Sequence, residues 1–219
     1  MIKLPGLIAA ILIVIFLSAY QTAKPRILIL GDSISIGYFP YVKDVLIDDA
    51  TLVHNPGNAQ HTGTGLEKLD FWLGEEKWNV IQFNWGLWDL CYRWADSKEQ
   101  GSRDKVKGKI TFTPEEYETQ LDSLARMLKA TESKLIFITT SYVPEGEAGR
   151  FAEDAIVYND IAKKVMAKYS IQVNDIYESS KRIHALYATA PSNVHYTEEG
   201  YKNLSELIIP PLIDLINQK

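Results

Sequence analysis

The chain has one cysteine, Cys91, in 219 residues, which excludes an intramolecular disulfide framework and any multi-cysteine metal site. Its four histidines, His54, His61, His184 and His195, form no H-E-x-x-H or comparable metal spacing. No run of five or six like charges occurs, and a formal net charge of -5 provides no basic field to hold a phosphate backbone, so nucleic acid is not an expected partner. The turn G-D-S-I-S-I-G from Gly31 lacks the Gly-rich phosphate-loop pattern and argues against a nucleotide or flavin binder. There is no internal repeat and no low-complexity tract.

What is present begins with Lys3 and the apolar run Leu4 to Ala19, followed by polar Gln21 and Thr22, the pattern of an export signal. Residues 1–19 read as a signal peptide or N-terminal membrane anchor and residues 20–219 as one domain. The run of about sixteen residues is short for an ordinary membrane span. In L-S-A-Y, Tyr20 stands where a lipoprotein signal needs its acceptor cysteine, which excludes lipidation there. Either form puts the body outside the cytoplasm, and the apolar segment allows membrane association.

Beyond the signal, short apolar runs alternate with longer periodic ones, as in β-α-β units around a mostly parallel sheet. The expected strands are Ile27 to Leu30, Thr51 to His54, Val80 to Phe83, Leu135 to Thr140 and Ile171 to Val173. Thr113-Pro114-Glu115-Glu116 carries a capping residue, a proline at the first helical position and a glutamate that closes a capping box. Tyr117, Leu121, Leu124 and Leu128 follow on one helical face, and Val157, Ile161 and Val165 mark another. Thr197 is expected to cap a last helix with Leu204, Leu207 and Ile208, interrupted at Pro210 and Pro211. The irregular segment Tyr92 to Phe112, directly after the third strand, is placed either to rim a ligand site or to form a solvated connection.

The chemistry centres on R-I-L-I-L-G-D-S, Arg26 to Ser33, where a buried-looking strand runs into a serine. A serine hydroxyl is a weak nucleophile that needs a base in reach and donors for the oxyanion formed on attack at a carbonyl. Gly31 permits the tight turn, and the following helix N-terminus offers backbone N–H groups; alternatively, Asp32 or Ser33 only caps that helix. His195, in S-N-V-H-Y-T-E-E-G-Y, has the pKa range suited to general base work. Gly57, in N-P-G-N-A-Q-H-T, and Asn84, in N-W-G-L-W-D-L, are candidate donors from the ends of the second and third strands.

These blocks resemble, in order, the motifs of the SGNH (GDSL) hydrolases, which are esterases and lipases; the resemblance runs from Arg26 onward. It implies a three-layer α/β/α flavodoxin-like fold with a mostly parallel five-stranded sheet. It further implies Ser33 as nucleophile, His195 as base, and the Ser33 and Gly57 N–H groups with the Asn84 amide as oxyanion donors. Asn58 and Gln60 are alternatives to Gly57, and Asn84 stands two places earlier than the family's asparagine.

The departure with most chemical weight is at the acid position. The family has D-x-x-H, whereas here Ser192 stands three residues before His195 with neutral Asn193 beside it. A triad aspartate fixes the imidazole tautomer and stabilises the imidazolium. Its absence leaves three readings: a Ser-His dyad oriented by a backbone carbonyl, a carboxylate from elsewhere such as Asp89 or Asp175, or a weakened enzyme. Trp88 replaces a histidine of relatives reading N-x-G-L-H-D-L and offers a stacking face but no proton shuttle.

The resulting expectation is an exported serine esterase removing small acyl groups, such as acetyl, from a carbohydrate or related small-molecule ester, without metal or organic cofactor. A lipid esterase of the same family and a non-catalytic binding module on the same scaffold are the alternatives.

Overall fold

Five short apolar segments pair side by side in the computed structural model, which describes residues 23–218. The expected signal or anchor over 1–19 lies outside the described residues. In chain order the elements are β1 (Arg26–Leu30), α1 (Ser33–Val45), β2 (Thr51–His54), α2 (Thr62–Leu73), β3 (Val80–Phe83), β4 (Tyr92–Arg93), β5 (Lys109–Ile110), α3 (Pro114–Lys129), β6 (Lys134–Ile138), α4 (Ala152–Lys168), β7 (Gln172–Asn174), α5 (Tyr177–Tyr187) and α6 (Glu198–Asn217).

The main sheet runs β2-β1-β3-β6-β7, and every neighbouring pair in it is parallel. Helices α1, α5 and α6 pack together, as do α2, α3 and α4, giving the three layers. The central strands are buried on both faces, which is why Ile27 to Leu30 and Val80 to Phe83 read as continuous apolar runs instead of alternating ones. Gln82 is the polar exception, and its amide donates to the Tyr38 hydroxyl at 2.8 Å. The chain order reverses on either side of β1, so the carboxyl end of β1 is a topological switch point, where ligands of open α/β sheets bind.

Local signals hold where the structure is local. The Thr113 hydroxyl and Glu116 carboxylate close the expected capping box, and Tyr117, Leu121, Leu124 and Leu128 are buried on α3. On α4 the buried face is instead Ala155, Tyr158, Ala162 and Val165, while Val157 is exposed. Two alanines let that helix lie close, and the Tyr158 hydroxyl donates to the Phe112 carbonyl. Strand β6 ends at Ile138 rather than Thr140, because the Thr140 N–H goes to the Asn159 side chain at 2.8 Å. Strand β7 lies one residue later than expected, at Gln172–Asn174.

The expected break at Pro210 and Pro211 does not occur, and α6 runs to Asn217. Pro211 has no N–H for the Leu207 carbonyl four residues back; that carbonyl accepts from Asn174 Nδ2 at 2.9 Å instead. Among the described residues no helix is long and apolar enough to cross a membrane.

Candidate active site

The residues after β1 build the centre of the site. The Gly31 N–H donates to Asn55 Oδ1 at 2.8 Å, tying the turn after β1 to the segment after β2. Asp32, not Ser33, caps α1, accepting from the Ile34 N–H at 2.9 Å. Burial raises the Asp32 pKa, opposed by that N–H and by the charge of Arg150. Ser33 is therefore the first helical residue: its own N–H has no acceptor within the helix and lies at the positive end of the macrodipole.

Across 162 positions of sequence, Ser33 Oγ lies 2.9 Å from His195 Nε2. The other face of the ring is held by Asn193, whose Oδ1 accepts from His195 Nδ1 at 2.8 Å and from the His195 backbone N–H at 3.0 Å, an Asx turn closed onto the imidazole. With Nδ1 carrying the proton, Nε2 is left with a lone pair facing the serine. The loop itself is fastened from below by buried His184, whose Nε2 donates to the Asn193 carbonyl at 2.7 Å. The His195 pKa is lowered, first by burial and then by the charges of Arg150 and Arg103, with Glu147 acting the other way. The ring is thus neutral at neutral pH, the form a general base requires.

The other expected positions fall as follows. Ser192 is exposed, and the ring is oriented by Asn193, two residues before His195 instead of three, because the turn folds the amide back on its own loop. Neither alternative carboxylate orients the ring. Asp89 is fully buried, accepting from the Thr62 N–H at 2.9 Å and the Thr62 hydroxyl at 2.5 Å, and its pKa is raised to about 7 by burial. Asp175 pairs with Lys163 at 2.6 Å and accepts from the Thr139 hydroxyl at 3.0 Å.

A cleft of about 400 Å³ opens over the pair, and Asn58 lines it where Gly57 was expected; Gly57 sits in the exposed turn just before, at φ +72°. Asn84 does not line this cleft either. Its backbone N–H continues the ladder to the Leu30 carbonyl at 3.0 Å, and its amide donates to the Ile138 carbonyl at 2.7 Å, bracing the strand ends beneath the site. Trp88 does line the cleft, with the Arg93 guanidinium stacked over its ring at 4.7 Å. A second serine-histidine contact, Ser35 Oγ to His54 Nε2 at 2.7 Å, involves a buried serine outside the cleft and ties α1 to β2.

Sequence reading missed the arginines. Segment 92–112 contributes Arg93 and Arg103 to the cleft wall, and the loop after β6 contributes Arg150. Glu147, wholly buried, receives Arg103 and, at 3.0 Å, Arg150. The only local signal was E-A-G-R from Glu147 to Arg150, a charge spacing too common to single out. Among the described residues no group of His, Cys, Asp and Glu is arranged to hold a metal ion.

No family model matches the chain, and no curated protein matches it. Solved structures do. A lipase/acylhydrolase from Enterococcus faecalis superposes with a TM-score of 0.67 at 19% identity, over 86% of this chain and 95% of the other. The acetylxylan esterase Axe2 from Geobacillus stearothermophilus gives 0.68 at 17% identity, over 90% and 96%. LAE5, an alpha/beta hydrolase enzyme from the metagenome of Lake Arreo, Spain, gives 0.69 at 18% identity, over 91% and 99%. From its first strand to its last helix, this chain shares the three-layer fold of these solved hydrolases.

Proposed function

We propose that this chain is an exported serine esterase of the SGNH/GDSL kind that removes small acyl groups from a carbohydrate or related ester. The observation that carries the reading is the 2.9 Å contact between Ser33 Oγ and His195 Nε2 at the switch point of the sheet. Ser33 attacks the ester carbonyl while His195 Nε2 takes its proton, and the Ser33 N–H at the start of α1 donates to the oxyanion. Collapse of the tetrahedral intermediate expels the alcohol, protonated by His195. Water, deprotonated by the same ring, then attacks the acyl-enzyme and releases the acid and free Ser33. The acetyl and carbohydrate preference is supported by the fold shared with acetyl xylan esterases and by Trp88 on the cleft wall. Export is supported by the apolar run from Leu4 to Ala19.

The test is labelling by a fluorophosphonate probe together with turnover of p-nitrophenyl acetate and butyrate. Ser33→Ala and His195→Ala should abolish labelling and lower turnover by at least about 10³-fold. Wild-type protein that is folded yet neither labels nor turns over an ester would instead make the chain a binding module on this scaffold.

A further inference from the structure

Three guanidinium groups line the cleft over Ser33 and His195, in a chain whose net charge is -5, while the carboxylates beside them, Glu147 and Asp32, are buried behind its wall. Glu147 accepts from three donors: Oε1 receives Arg103 and Arg150, and Oε2 receives the Gly149 N–H at 2.7 Å. Arg150 is itself buried, with Nε donating to the Leu87 carbonyl at 2.6 Å, so its pairing with Glu147 reads as structural. Arg103 and Arg93 differ. Arg103 shares its carboxylate with Arg150 and otherwise donates through Nε to the Gln100 carbonyl at 2.9 Å. Arg93 makes no ion pair among the described residues; it lies on the Trp88 ring and donates through Nη1 to the Gly101 carbonyl. Both residues line the cleft, and each keeps guanidinium N–H groups with no protein partner among the described residues.

Fastening segment 92–112 to the loop after β6 explains Glu147 and one arginine. It does not explain an excess of positive charge gathered in the one cleft that contains the serine. Like charges placed together repel, and here they also lower the basicity of the ring that is to accept the serine's proton. A low-dielectric cleft of one sign focuses its field on a ligand of the opposite sign, and guanidinium forks match the planar or tetrahedral oxygens of carboxylate, phosphate and sulfate.

We propose that the cleft selects esters carrying an oxyanion group, with Arg93 and Arg103 as the residues that receive it while the ester carbonyl lies at Ser33. This deepens the esterase reading and rests on it. The bonds made and broken are those of the hydrolysis above; the anion is bound and does not react.

The experiment compares 4-acetoxybenzoate with its neutral methyl ester, following release of acetate from each; the two present the same acetyl group, and the neutral ester has the slightly better leaving group, so a preference for the anion has to come from binding. At low salt, wild-type kcat/KM should favour the anion by about tenfold or more, the worth of one charge-assisted hydrogen bond. Raising salt from about 0.05 M to about 0.5 M shortens the screening length and should shrink that ratio. Arg93→Gln should lower the ratio, and Arg103→Lys, which keeps the charge facing Glu147, should lower it less. A wild-type ratio at or below one, or a ratio that Arg93→Gln leaves in place, overturns the proposal. If the wild type hydrolyses neither ester and Ser33 does not label, the esterase reading has failed. Calorimetry with free benzoate, phosphate and sulfate then decides the anion site: binding weakened by Arg93→Gln supports it, and absence of binding by all three rejects it. The preferred ion among the three identifies the class of oxyanion.

Discussion

Asn193 Oδ1 accepts from His195 Nδ1 at 2.8 Å, so a neutral amide holds the place where the resembled family has a carboxylate. The amide does half of a carboxylate's work. It fixes the ring and leaves Nε2 free to accept from Ser33, but it supplies no negative charge to stabilise the imidazolium that forms. The nearby charges of Arg150 and Arg103 add to that deficit.

The first prediction concerns this contact. In wild-type protein the neutral ring persists to lower pH than an ordinary histidine, so the acid limb of kcat/KM should fall below about pH 6.5, the ordinary histidine value. Asn193→Asp adds an opposite charge beside Nδ1 and should move that limb to higher pH while raising turnover, by up to about 10⁴-fold if the serine protease example run in reverse is the bound. Asn193→Ala should lower turnover by freeing the ring. Superimposed pH profiles for the three proteins would show that something other than Asn193 orients His195.

A second prediction follows from Glu147, wholly buried between two arginines. Glu147→Gln leaves buried Arg150 without its counter-ion, and breaking such a pair from one side costs about 3–5 kcal/mol. In a domain of this size that lowers Tm by on the order of 10 °C. A thermal melt checks it, and a shift of only a degree or two would mean that the arginines are solvated in place.

Asp89 supplies a third. Its pKa is raised to about 7 by burial, above the ordinary 3.8, so its contribution to stability is fully present below pH 3.8 and is lost as pH rises through 7. Asp89→Asn keeps an oxygen for the Thr62 donors and removes the titration. The Tm of the variant relative to wild type should therefore climb between pH 4 and about pH 8, by an amount set by about 1.4 kcal/mol per unit of pKa shift. A difference that stays constant with pH would place the Asp89 titration elsewhere.

The fourth joins β7 to α6. Asn174→Ala removes the donor to the Leu207 carbonyl that Pro211 leaves without a helical partner, at a cost of about 1 kcal/mol. Pro211→Ala restores an N–H four residues on, so the two changes together should cost less than their sum in a denaturant cycle.

What could be read in advance was what neighbours in sequence decide. The run Ile27 to Leu30, the turn at Gly31 and the box at Thr113 are set by local propensity and hydrogen bonding within a few residues, and each stands where expected. The orienting residue was visible as a neutral pair, Ser192 and Asn193, but which of the two reaches the ring depends on a turn anchored by His184 from a different helix. Asn84 was read as a donor to substrate; the closing of β3 against β6 gives its amide a carbonyl partner first.

The sequence by itself determined the layered α/β fold and put Ser33 in the turn just after a central strand, because burial pattern and turn chemistry act over short spans. Only the tertiary structure decided that His195, 162 residues away, faces that serine, and that Arg93, Arg103 and Arg150 gather around one buried glutamate beside it. Those contacts come from the packing of loops carried on different strands, and a charge in a loop has no periodicity from which its eventual neighbours follow.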